Sequence, residues 1–91
     1  MFPTIVQVYP KEDYKVYVYF DDGKIVCFDA TTIIEKPVFK PLKDINIFLN
    51  SCKIMNDTLA WDIMNNNDPS TCIDIDPDTL YSLDNVVDLI A

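Results

Sequence analysis

Residues 14–28, YKVYVYFDDGKIVCF, decide the fold class predicted for this chain. Side chains alternate strictly over the first seven positions and place Val16, Val18 and Phe20 on one side, which is the pattern of a half-buried β-strand. The only glycine, Gly23, follows two aspartates where a hairpin needs a positive φ angle. The stretch therefore predicts two antiparallel strands joined by a tight turn.

The segment before this hairpin predicts a third strand. Residues 4–9 are rich in β-branched side chains and are stopped by Pro10, as expected of a strand next to a turn. The first third of the chain is therefore predicted to be a three-stranded antiparallel meander.

Prolines and an aspartate delimit two predicted short helices in the middle of the chain. Asp29 is expected to cap the first, which runs through 32–36 and is stopped by Pro37. Pro41 is expected to open the second, over 42–49. The fold class predicted from this arrangement is α+β.

Further short strands and a C-terminal helix complete the prediction. Strands are expected over 52–55, 59–63 and 72–75, with a turn between the first two and a loop over 64–71. Asp76 as the cap and Pro77 at the first helical position then start the C-terminal helix. Its apolar stripe is formed by Leu80, Leu83, Val87 and Ile90. This stripe suits packing on the sheet of the same chain, or a homodimer or helix-in-groove contact.

Length and composition exclude several function classes. The 91 residues, 49% of them hydrophobic, suit one domain spanning 1–91. Without histidine the chain has no His-based triad or Cys/His zinc site, and one glycine rules out a Gly-rich phosphate loop. Three dispersed cysteines favour buried thiols in a reducing compartment. No cofactor is expected, and the absence of a signal-like start or a long apolar run predicts a cytoplasmic protein without membrane association.

The net charge of −8 belongs entirely to the C-terminal part of the chain. Residues 1–56 hold all seven lysines and seven acids, whereas residues 57–91 hold eight acids and no base. Because nucleic-acid binding depends on cations and favours arginine, which is absent, no direct nucleic-acid binding is expected. The acidity either keeps the domain soluble or forms a surface that meets a basic partner.

The string from Asp74 to Asp78 has the D-x-D-x-D spacing that opens a calcium-binding EF-hand loop. The sixth position is Thr79 instead of glycine, and the twelfth is Asn85 instead of glutamate. A helix cap at Asp76 explains the spacing without a metal, so no metal site is expected.

Aromatic side chains raise two alternatives between core and surface. Tyr9, Tyr17 and Tyr19 fall on the side of the meander opposite Val16. They form either a docking surface or ordinary strand residues that the C-terminal helix covers. The single tryptophan, Trp61, is interpreted as a core residue, with an interface hot spot as the alternative.

The order of several short motifs resembles a small bacterial family called domain of unknown function 2442. The motifs are Phe20-Asp21-Asp22-Gly23-Lys24, Phe28-Asp29, Phe39, Leu42, Phe48, Leu59-Ala60-Trp61, and Ile73-Asp74-Ile75-Asp76-Pro77-Asp78-Thr79-Leu80-Tyr81. The likeness covers about residues 4–82, which leaves 83–91 as a C-terminal helical extension. It implies a compact α+β domain with no established catalytic residues. Some relatives look fused to a helix-turn-helix or lie beside another small gene in toxin–antitoxin-like pairs, and no such DNA-binding part is expected in these 91 residues.

The function expected from these observations is a non-catalytic protein-interaction or regulatory module. Its partner is expected to be a basic protein, as in a toxin–antitoxin-like pair, because complementary charge speeds encounter and aids specificity. The alternatives are a small-ligand or enzymatic domain using Asp and Tyr side chains, and a structural homodimer. The candidate partner-binding residues are Tyr17, Tyr19, Asp62, Asp68, Asp84 and Asp88.

Overall fold

The computed structural model describes residues 3–68 and 70–85. Its strands are β1 (Ile5–Pro10), β2 (Lys15–Phe20), β3 (Ile25–Asp29), β4 (Cys52–Met55), β5 (Thr58–Trp61) and β6 (Ile73–Asp74). Its helices are α1 (Ile45–Ser51) and α2 (Pro77–Tyr81), with 3₁₀ segments at Ala30–Thr32 and Pro37–Lys43. The predicted α+β fold class is confirmed.

The meander predicted from the first third of the chain forms an antiparallel sheet in the order β1-β2-β3. Val16, Val18 and Phe20 are buried on one side of it, as the alternation predicts. In the β2–β3 turn, Gly23 has a φ of 95°. Its N–H donates to Phe20 O at 3.1 Å, while the Phe20 N–H donates to Lys24 O at 2.9 Å. This is a three-residue hairpin loop whose last position requires the left-handed conformation.

The middle of the chain is less helical than predicted. Asp29 does act as a cap, accepting from the Thr31 N–H at 3.0 Å, but the turn it caps is only the 3₁₀ segment Ala30–Thr32. Pro41 lies inside the second 3₁₀ segment, and α1 begins after Asp44, whose side chain accepts from the Asn46 N–H. Closely spaced prolines remove backbone donors and hold this segment in short 3₁₀ turns, so the helix starts at the next side-chain cap.

The second sheet has the order β4-β5-β6 and packs beside β1. Asn56 and Asp57, at the predicted turn, have φ angles of 54° and 59°, as in the tight hairpin turns that favour these residue types. Strand β5 ends at Trp61, earlier than predicted, because the chain turns at Asp62. Strand β6 spans two residues instead of the four expected.

The core lies between the two sheets and the helices. Trp61, Phe48 and Leu42 are fully buried, and the rings of Phe48 and Trp61 are 5.6 Å apart between centroids. Trp61 is therefore a core residue, which confirms the interpretation made from the sequence. Its indole N–H has no hydrogen-bond acceptor among the described residues.

Helix α2 begins where predicted, with Asp76 accepting from the Asp78 N–H at 3.0 Å, but its helical conformation ends at Tyr81. Leu80 is fully buried, and Leu83, beyond the helix end, packs against the same core. The described half of the predicted apolar stripe therefore packs within its own chain, and Val87 and Ile90 lie outside the described residues. None of the helices described here is long and apolar enough to cross a membrane.

Candidate functional site

Helix α2 is joined to the β2–β3 turn by the side chain of Tyr81. Its hydroxyl donates to Asp22 Oδ2 at 2.6 Å, and its ring packs edge-on against Phe20 with centroids 5.0 Å apart. The Lys24 ammonium lies 4.3 Å from the ring centroid and donates to the Tyr81 carbonyl. The Tyr81 hydroxyl lowers the pKa of Asp22, and the same bond raises the pKa of Tyr81. The turn and the helix thus form one structural unit.

Exposed carboxylates are concentrated in the two segments that this contact joins, the β2–β3 turn and residues 74–84. The set, called the acidic end below, consists of Asp21, Asp22, Asp74, Asp76, Asp78 and Asp84, all exposed. Lys24 is the one described base within the same segments, and its ammonium is already engaged by Tyr81. Six carboxylates therefore face solvent beside one occupied ammonium.

The opposite end of the first sheet has balanced charge. It lies around the β1–β2 turn, where the Tyr14 hydroxyl donates to Lys43 O and the Ala30 N–H donates to Tyr14 O. Its charged residues are Lys11, Lys15, Lys36, Lys40, Lys43, Glu12, Asp13, Asp29, Glu35 and Asp44. Five positive charges meet five negative ones there, so these residues contribute nothing to the net charge of −8.

A polar groove lies between α1 and the loop that follows β5. It has a volume of about 320 Å³ and is lined by Asn46, Ile47, Asn50, Ser51, Lys53, Asp62, Ile63 and Asn65. The side chain of Asp62 is 1% exposed and pairs with Lys53 Nζ at 3.3 Å. Lys53 also donates to Asn67 Oδ1 at 2.8 Å. A charged pair therefore stands in the wall of the groove.

Asp62 holds the loop after β5 in its observed shape. Its two carboxylate oxygens accept from the backbone N–H groups of Asn66 at 3.3 Å and Asn67 at 2.9 Å. The Asn67 N–H is the main cause that lowers the pKa of Asp62. Asn65 and Asn67 have positive φ angles of 53° and 55°, which the carboxylate contacts help to maintain.

Two of the acids predicted to bind a partner have local structural contacts. Asp62 is almost completely buried. The physical reason is that it receives the N–H groups of its own loop. Asp68 is half-buried and accepts from the Ser70 hydroxyl at 2.7 Å and the Ser70 N–H at 2.9 Å. Asp84 is exposed, and Asp88 lies outside the described residues.

The tyrosines of the meander share the face of the first sheet that points away from the core. Tyr17 pairs with Tyr9 on one side and Cys27 on the other, and Tyr19 pairs with Gln7 and Ile25. These six residues are called the tyrosine face below. Helix α2 packs on the opposite side of the sheet, against Phe20, so its described residues do not cover the tyrosine face. Tyr9 is 55% exposed, while Tyr17 and Tyr19 are half-buried by their neighbours.

Two aspartates of the D-x-D-x-D string make hydrogen bonds within the fold, and the helix cap predicted at Asp76 is confirmed. Asp74 accepts from Asn56 Nδ2 at 3.1 Å, and Asp76 caps α2. Over residues 3–68 and 70–85, no group of three or more His, Cys, Asp or Glu side chains is placed to hold a metal. The three cysteines are half-buried thiols, and burial raises the pKa of the Cys52 thiol to about 12.

Sequence reasoning missed the Lys53–Asp62 pair, although a signal for it was present. A two-residue turn at Asn56 and Asp57 places Lys53 opposite Ala60. Asp62, two residues further on, is then the diagonal neighbour of Lys53 on the same face. Opposite charges at these positions indicate an ion pair. The groove beside that pair depends on the path of the loop and has no comparable signal.

Comparison with known proteins gives one match. A family model described as "Protein of unknown function (DUF2442)" matches residues 5–85. Neither the curated proteins nor the solved structures contain a significant match to the chain.

Proposed function

The chain belongs to the DUF2442 family of proteins of unknown function, and we propose that it is a non-catalytic protein-binding module whose acidic end meets a basic partner. The observation that carries this proposal is the exposure of the six carboxylates of the acidic end beside the single engaged ammonium of Lys24. A field of one sign raises the rate of encounter with an oppositely charged surface and helps to select it.

The chemistry of the acidic end favours binding over catalysis. A catalytic carboxylate works best in an enclosed site that shifts its pKa towards neutral pH. Asp22 is exposed, and its contact with Tyr81 lowers its pKa instead. Asp76 is occupied as a helix cap. Asp22 therefore remains ionised near neutral pH and is suited to act as a fixed negative charge.

The partner proposed here is a small basic protein, as in a toxin–antitoxin-like pair. The tyrosine face is the second proposed contact surface, because Tyr17 and Tyr19 lie on the sheet face opposite the one against which Tyr81 of α2 packs. Tyrosine buries a large area at low entropic cost and keeps a polar hydroxyl, which suits protein interfaces.

A pair of charge-matched variants tests the acidic end. Asp74→Asn with Asp78→Asn removes two carboxylates from it, whereas Glu12→Gln with Glu35→Gln removes two from the opposite end. Both changes bring the net charge from −8 to −6. Asp74→Asn keeps an oxygen that can accept from Asn56, so the fold should be preserved.

The measurement is affinity purification from the native cell extract at low ionic strength, followed by mass spectrometry. We expect a basic protein to co-elute with the wild type and the Glu12/Glu35 variant, to be depleted with the Asp74/Asp78 variant, and to be released by salt. A partner retained equally by both variants at high salt would contradict the proposal, as would the absence of any partner.

A further inference from the structure

We infer that the groove between α1 and the loop after β5 binds an extended, uncharged polypeptide segment through its main chain. The inference deepens the proposed protein-binding function and rests on it only in taking the ligand to be a polypeptide. The groove is a different surface from the acidic end, and the groups that would bind a ligand in it are amide side chains.

Three asparagine side chains line this groove and make no hydrogen bond within the part of the chain that the structure describes. Asn46 and Asn50 lie on α1 and Asn65 on the facing loop, and all three are exposed. Among the described residues, none of their side-chain amides takes part in a hydrogen bond. Each amide carries both a carbonyl acceptor and an N–H donor, which is the combination needed to pair with the C=O and N–H groups of a peptide backbone.

The spacing of the two helical asparagines matches an extended chain. Residues four apart on an α-helix rise by about 6 Å along its axis and lie on the same face. In an extended chain, the distance between one residue and the next but one is about 6.6 Å. Asn46 and Asn50 can therefore contact successive outward-facing peptide groups of one strand-like segment.

The charges of the groove favour a neutral ligand. The Lys53 ammonium is balanced by Asp62 at 3.3 Å and also donates to Asn67 Oδ1 at 2.8 Å. Two of its three donors are occupied, so the remaining N–H can donate to a carbonyl oxygen. Because Lys53 and Asp62 neutralise each other, a charged ligand would find no unpaired counter-charge in the wall of the groove. Uncharged peptide groups need none.

The apolar part of the lining suits apolar side chains of the ligand. Ile47 and Ile63 contribute hydrocarbon surface between the amides. In an extended segment, alternate side chains point to the same side, so those directed into the groove would contact these isoleucines.

The groove is held in shape before a ligand arrives. Asp62 fixes the loop through the N–H groups of Asn66 and Asn67, and the Ser51 hydroxyl is tied back to Ile47 O at 2.5 Å. A site whose walls are already ordered loses less entropy on binding.

The test is an NMR titration of the purified, isotope-labelled protein with N-acetyl-trialanine amide. We expect saturable shifts of the side-chain amide signals of Asn46, Asn50 and Asn65. Glucose and inorganic phosphate, titrated separately, should produce no such shifts. Shifts that are equal with glucose or phosphate, or that do not saturate with the peptide, would overturn the inference.

Variants separate this site from the rest of the surface. Asn46→Ala with Asn50→Ala removes two pairs of hydrogen bonds and should weaken peptide binding about tenfold or more. Gln7→Ala, which removes an exposed amide from the tyrosine face, should bind as the wild type does, and so should the Asp74/Asp78 variant. Unchanged binding by the double asparagine variant would overturn the site. If it loses the native spectrum, Asn50→Asp supplies the same test, because it removes the donor and adds charge at constant size.

Discussion

The Tyr81 hydroxyl donates to Asp22 Oδ2 at 2.6 Å and so joins residues 59 positions apart in the sequence. Asp22 belongs to the turn after β2, and Tyr81 ends the D-P-D-T-L-Y string of α2. The β2–β3 turn and α2, which are far apart in the sequence, are therefore in direct contact in the fold.

Removing the Tyr81 hydroxyl should destabilise the fold in a pH-dependent manner. The raised pKa of Tyr81 means that its bond stabilises the fold below the unfolded pKa of about 10 and is lost as the pH rises through the folded value. The lowered pKa of Asp22 adds stability above about pH 4 that is lost as the pH falls through its folded value.

We therefore expect Tyr81→Phe to unfold at a lower urea concentration than the wild type near neutral pH. The difference should shrink at both pH extremes. Tyr19→Phe is the control, since the Tyr19 hydroxyl makes no hydrogen bond among the described residues. Identical midpoints for Tyr81→Phe and the wild type at pH 7 would show that the bond contributes nothing.

Replacing Asp62 should loosen the loop after β5. The lowered pKa of Asp62 means that the carboxylate stabilises the fold above its unfolded pKa of about 4, and that this stability is lost as the pH falls through the lower folded value. Asp62→Asn keeps one acceptor but turns an amide N–H towards a backbone donor. We expect faster hydrogen exchange at Asn66 and Asn67 and a flatter acid-unfolding profile than in the wild type. Asp84→Asn, at an exposed position, should leave both unchanged.

Leu80 should contribute far more to stability than Leu83, although both belong to the predicted apolar stripe. Leu80 is fully buried, so Leu80→Ala is expected to cost about 2–5 kcal/mol of unfolding free energy. Leu83 is half-buried, and its replacement by alanine should cost less. Urea unfolding followed by circular dichroism measures both. Equal small losses would mean that Leu80 does not pack in the core.

Gly23 should resist substitution because of its backbone conformation alone. A Cβ added there meets nothing within 4 Å, but the φ of 95° disfavours other residues. Gly23→Ala is therefore expected to lose about 1 kcal/mol. Asn tolerates positive φ angles better than alanine, so Gly23→Asn should lose less. Thermal unfolding of the two variants provides the comparison, and a larger loss for Asn than for Ala would point to a steric cause instead.

Local signals explain which features could be predicted from the sequence. The alternation in β2, the glycine of its turn and the cap at Asp76 each involve residues only a few positions apart. The burial of Asp62 depends on backbone donors presented by a loop with positive φ angles at Asn65 and Asn67, which no periodicity reveals. The groove requires α1 and this loop to be placed together, and the Tyr81–Asp22 contact spans most of the chain. Such features follow from tertiary packing, which sequence patterns report only weakly.

The long separation between Asp22 and Tyr81 also bears on synthesis of the protein. The hairpin leaves the ribosome before α2 has been translated. The apolar side of the first sheet is therefore not fully covered until α2 has been synthesised. Nascent chains that end before Tyr81 would expose Phe20 and the neighbouring core residues. Chaperone capture and proteolysis are therefore expected to act mainly on chains that stop short of this helix.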